Sequence, residues 1–150
     1  VGTTAAAAAL AACSPAGSSI ATSYQRYTYT CCDGQDTQRV WHPGETFTLR
    51  WVAQPSGMTG DSAPQRVTLT AVMTGPYRDI SALKSAPSAA PLTVSATPIV
   101  TTDLVDGNPV SSILLPVTLP AGFYNVVDAI ELTGGQSSGA TIIQVAPAGP

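Results

Sequence analysis

The residues with the most chemistry to offer in this 150-residue chain are two adjacent cysteines, Cys31 and Cys32. Neighbouring side chains in a strand point to opposite faces, so the two sulfurs cannot meet while both residues stay in a regular strand. Across a trans peptide the Cα atoms lie about 3.8 Å apart, below the usual disulfide range. A bond between them therefore needs a turn, and Asp33-Gly34 follows directly with strong turn chemistry. Three readings stay open: a vicinal disulfide at a rigid rim turn, two free or intermolecularly paired thiols, or a pair of soft-metal ligands. His42, with Met58 and Met73, would extend the pair to a donor set suited to Cu(I). No C-x-x-C or H-x-x-x-H spacing fixes such a set, however. Met73 reads as core, and His42 beside Pro43 reads as a turn residue, so no metal site is assigned, with Cys31, Cys32 and His42 as its candidates.

Other constellations are poorer. Gly135-Gln136-Ser137-Ser138-Gly139 matches the G-x-S-x-G pattern of a nucleophile elbow. An elbow needs a helix after it and a histidine downstream, and the sole histidine lies far upstream, so the segment reads as a hairpin loop. Asp33 with Asp36, and Asp103 with Asp106, lack the ligand count of a calcium site and read as turn formers. Asp128 and Glu131 stand three apart on a strand and so face opposite ways, which argues against a pair of catalytic acids. Tyr24, Tyr27 and Tyr29 could form a binding stripe, but Tyr27 and Tyr29 share a face and fit sheet packing better. No catalytic residue is assigned and no cofactor is expected.

These residues must be positioned by strands. From residue 23 the pattern has period two, and it is cleanest at residues 46–52, with Phe47, Leu49 and Trp51 on one side and Thr48 and Arg50 on the other. Val67, Leu69, Ala71 and Met73 form a second such row. Leu92, Val94 and Ala96 suggest a strand stopped by Pro98 and resumed from Ile99. Ile113, Leu115, Val117 and Leu119 alternate again, with Pro116 marking an edge or bulge. Residues 123–132 form a long strand, residues 134–139 a loop, and residues 141–145 a closing strand. Residues 54–65 read as a loop, and residues 81–84 as a short helical turn. Seven to eight strands without an amphipathic helix predict an all-β, two-sheet antiparallel sandwich.

Two segments resemble immunoglobulin-like domains: His-Pro-Gly-Glu-Thr-Phe-Thr-Leu-Arg-Trp (residues 42–51), a turn into a core strand, and Leu-Pro-Ala-Gly-Phe-Tyr-Asn-Val (residues 119–126), a corner before the penultimate strand. The resemblance implies an immunoglobulin-like sandwich over residues 23–146, followed by a tail at 147–150, and assigns no activity.

Residues 1–12 differ in kind, being uncharged and alanine-rich like the apolar part of a signal peptide. Leu10-Ala11-Ala12-Cys13 resembles the bacterial lipobox. That resemblance implies cleavage before Cys13, a lipid on its thiol, and residues 14–22 as a flexible tether. Of three cysteines, assigning Cys13 to lipid leaves Cys31 and Cys32 as an even pair. Only 10% of residues are charged, the net charge is −3, and the six cationic residues are scattered singly, which argues against a nucleic-acid partner. The expectation is an exported lipoprotein on the outer side of a bacterial membrane, serving as a non-enzymatic binding or structural module for an envelope protein or polymer. Two alternatives stand beside it: a copper-handling or thiol-redox protein using Cys31, Cys32 and His42, and an accessory or inhibitory factor for another exported protein.

Overall fold

The computed structural model describes residues 23–32, 38–85 and 92–149, and these form two packed β-sheets. The strands are β1 (Tyr24–Cys31), β2 (Val40–Trp41), β3 (Thr46–Gly60), β4 (Arg66–Tyr77), β5 (Leu92–Ser95), β6 (Ile99–Thr102), β7 (Val110–Leu114), β8 (Gly122–Leu132) and β9 (Gly135–Val145). One short helix, α1 (Ile80–Lys84), follows β4. It is capped by the Asp79 carboxylate, which accepts from the Ala82 N–H at 2.7 Å. The first sheet runs β1-β3-β7 and the second β2-β9-β8-β4-β5, with β6 also pairing β4. All pairings are antiparallel except β2 with β9.

The predicted rows build the core. Phe47, Leu49 and Trp51 of the first sheet meet Val67, Leu69, Ala71 and Met73 of β4, with Tyr124, Val126 and Ile143 from β8 and β9. Each of these side chains is buried, and removing that apolar surface from water is the main force joining the sheets. The Trp51 indole N–H still needs a partner inside, and it donates to the buried Ser111 hydroxyl at 2.9 Å. The break at Pro98 is also as expected: β5 and β6 lie along one edge of β4, with the Ala96 N–H still donating to Ala71 O before the chain kinks.

Three boundaries differ from the sequence expectation. Strand β3 continues to Gly60, where a loop is predicted from residue 54. Pro55 is tolerated because alternate N–H groups of β3 face away from β1. Those of Trp51 and Ala53 go to Pro109 O and the Asn108 amide oxygen, and beyond them no strand covers that edge among the described residues. Strand β7 stops at Leu114. Residues 116–119 form a turn closed by Leu119 N–H to Pro116 O, leaving Val117 80% exposed instead of on an inward face. Finally, β9 begins at Gly135, so the predicted loop at 134–139 is mostly strand, paired with β8 up to Leu132 opposite Gly135.

Candidate functional site

The first sheet hands the chain to the second between β1 and β2. Strand β1 ends at Cys31 beside Trp51 of β3, and β2 begins at Val40 beside β9. Cys31 and Cys32 occupy the start of that crossing. They are joined as a vicinal disulfide, across a cis peptide bond. Both residues are half-buried, and Cys31 packs against both halves of the hydrophobic core.

A carboxylate faces the pair from the opposite sheet. The inward row of β8 runs Tyr124, Val126, Asp128, Ile130, so an acid takes a place where the alternation calls for an apolar side chain. It fits because its cross-strand partner is Gly139: a Cβ there would come within 3.0 and 3.1 Å of the two carboxylate oxygens. Burial pushes the Asp128 pKa up, and hydrogen bonds from its own N–H and that of Gly139 partly offset this. One donor atom from each of Cys31, Cys32 and Asp128 lies within 4.8 Å of the others. A cleft of about 200 Å³ opens over Cys31 and Asp128, lined also by Tyr29, Ser137 and Ser138. The serines of the G-x-S-x-G match thus sit in strand β9 as walls of this cleft.

His42 belongs elsewhere, which corrects its grouping with the cysteines. It lies in the turn between β2 and β3, where its backbone N–H donates to Glu45 at 2.7 Å and its ring stands 3.8 Å from the same carboxylate. Arg39 pairs with Glu45 at 3.0 Å while stacking 3.7 Å over the Trp41 ring. The His42 N–H, first among the causes and joined by the Arg39 charge, holds the Glu45 carboxyl below its ordinary range. Gly44, at φ +87°, makes this turn possible. Met73 is core and Met58 is exposed, and among the described residues the carboxylate of Asp128, not His42, is grouped with the two cysteines. Cys13, Asp33 and Asp36 lie outside the described residues.

Two further groups take roles that turn chemistry hides. Asp103 is the buried partner of Arg26, whose Nη1 donates to both carboxylate oxygens at 2.9 Å. The Gln65 N–H donates to Asp103 as well, while Arg26 reaches Ala63 O and both Ser62 oxygens. A register shift between Gln25 and Tyr27 turns Arg26 inward, breaking the alternation that would have exposed it. Tyr29 is buried and donates to Val105 O at 2.9 Å, which makes it a packing residue and not part of a surface stripe. The signal for Asp128 was available, as a charged residue in an apolar row; that for Arg26 was not, because nothing in the sequence marks the bulge.

No family model and no curated protein matches the chain. Among solved structures it is similar to Spo0M, a sporulation control protein from Bacillus subtilis, with 14% identity and a TM-score of 0.45. The similarity covers 80% of this chain, which spans about half (49%) of that protein.

Proposed function

We propose that this chain is an exported, lipid-anchored envelope protein whose immunoglobulin-like sandwich is a binding or structural module, held to the membrane through Cys13. The observation that carries this reading is the lipobox-like Leu10-Ala11-Ala12-Cys13 after an uncharged, alanine-rich run. The juxtaposed sulfurs of Cys31 and Cys32 support it, since a bond between them would persist in the oxidising compartments outside the cytosol. The immunoglobulin-like assignment is supported by the corner at Leu119–Val126, where the Tyr124 hydroxyl donates to Pro120 O at 2.7 Å, four residues upstream.

The geometry suits a module that works at arm's length. Tyr24, just after the tether, pairs with Gly60 at one end of β3, while Leu114 pairs with Thr46 at the other. A 15-residue strand separates the two ends, a span of about 50 Å at the rise of an extended chain. The far end carries Leu114, 66% exposed, and Val117, above the Gly44 turn. These apolar side chains are the contact surface offered to an envelope protein or polymer.

The test is the chemical state of Cys13 in the complete protein produced in a bacterium. Intact mass and labelled fatty acid should show an acylated Cys13 and a membrane-bound product, and Cys13→Ser should release it unlabelled. A Cys13 without lipid in the mature product, or a precursor left in the cytosol, overturns the proposal.

A further inference from the structure

Cys31, Cys32 and Asp128 meet at a corner whose chemistry is independent of how the protein is anchored. Asp128 is a half-buried acid in an otherwise apolar row, where its charge is costly to desolvate, and no Lys or Arg among the described residues pairs with it. Packing alone does not account for it. It faces the two sulfurs across the gap between the sheets, with Gly139 leaving room for its oxygens. We propose that reduction of the Cys31–Cys32 bond turns this corner into a site for one zinc-class divalent cation, held by both thiolate sulfurs and an Asp128 oxygen.

The spacing fits. Tetrahedral zinc at its usual bond lengths to sulfur and oxygen sets its ligand atoms roughly 3.5–3.8 Å apart. The three donors already lie within 4.8 Å of one another, so once the S–S bond is broken, rotation of the cysteine side chains lets the sulfurs part to that spacing while both stay within reach of Asp128. Two donors come from the edge of one sheet and the third from the middle of the other, so the fold fixes their separation. The donor chemistry also chooses the metal. Two thiolates alone would favour Cu(I), but a hard carboxylate oxygen as third ligand moves the preference to a borderline cation such as Zn²⁺. The cleft leaves the fourth position to water, beside Ser137 and Ser138.

A dithiol reductant transfers two electrons and two protons, the S–S bond breaks, a thiol forms on each cysteine, and the reductant closes to its own disulfide. Cation binding then breaks two S–H bonds, forms two metal–sulfur bonds and releases two protons to solvent. Reoxidation by a disulfide partner reverses the sequence and ejects the cation.

The experiment uses the full chain, as purified and after anaerobic reduction with a phosphine that is then removed. Zn²⁺ is titrated against a chromophoric chelator, and Cd²⁺ is used to read the thiolate-to-metal absorption band. The reduced protein should bind one equivalent and the oxidised protein none, with both thiols protected from alkylation by bound Zn²⁺. Asp128→Asn should weaken binding at least about tenfold, with circular dichroism and melting showing it folded. Gly139→Ala, which crowds the carboxylate and leaves the thiols untouched, should weaken it too. His42→Ala should leave it unchanged. Sub-stoichiometric binding after reduction, equal binding by the oxidised protein, full affinity in both Asp128→Asn and Gly139→Ala, or loss in His42→Ala overturns the proposal.

Discussion

Replacing Asp103 by Asn tests how much of the fold hangs on one ion pair. Arg26 and Asp103 have side chains only 8% and 12% exposed, and the guanidinium donates twice to the carboxylate at 2.9 Å. Asn keeps an acceptor for the Gln65 N–H but removes the countercharge, leaving a cation shut away from water. Breaking a buried pair in this way costs about 3–5 kcal/mol, a large part of a typical total of about 5–15 kcal/mol. The residual bonds from Arg26 to Ser62 and Ala63 place the expectation near the lower end, about 3 kcal/mol. Urea denaturation should show that loss with an unchanged slope, and the melting temperature should fall by roughly 10 °C. The double change Arg26→Met with Asp103→Leu removes both charges and should recover most of the loss. About 1 kcal/mol remains for the Gln65 N–H left without its acceptor. A cost below about 1 kcal/mol for Asp103→Asn, the value of an exposed pair, refutes the reasoning, as does a double variant no more stable than the single one.

Two further outcomes follow from the same geometry. Trp51→Phe keeps the ring in the core but strips the Ser111 hydroxyl of its donor, and should cost about 1–3 kcal/mol by chemical denaturation. Trp51→Phe with Ser111→Ala should regain part of it. Glu45 has a carboxyl held below its ordinary range in the folded state. Its contribution to stability is therefore present above the unfolded carboxylate pKa and lost as pH falls through the folded value. Glu45→Gln should flatten that acid limb of the urea midpoint against pH; an unchanged limb rejects the assignment.

Strand rows that bury one face were legible because an apolar side chain every second residue has only one arrangement that keeps it dry. Phe47, Leu49 and Trp51, or Val67 to Met73, announce themselves in this way. The ends of β3 and β9 do not. Residues 135–140 are exposed on both faces, so no alternation is required there, and their Gly and Ser content mimics a loop. Val117 misled in the opposite sense, since it keeps the apolar spacing of β7 after Pro116 has already turned the chain away. At the candidate site the cysteine pair was readable and Asp128 stood out as a charge in an apolar row, but that the two meet was not. His42 is 10 residues from Cys32 in sequence and Asp128 is 96, yet only the sheet pairing decides which of them arrives.

The pairing of β2 with β9 has a kinetic consequence. Val40 joins Gln144 and Trp41 joins Val145, contacts that bridge most of the sandwich's sequence length. β9 also stands between β2 and β8, so the second sheet cannot close until the last of the nine described strands is available. Such long-range closure slows folding, and a ribosome delivers β9 last. A nascent chain of this topology stays open while it is being made, with β8 still lacking one neighbour and Trp41 still lacking its place in the core.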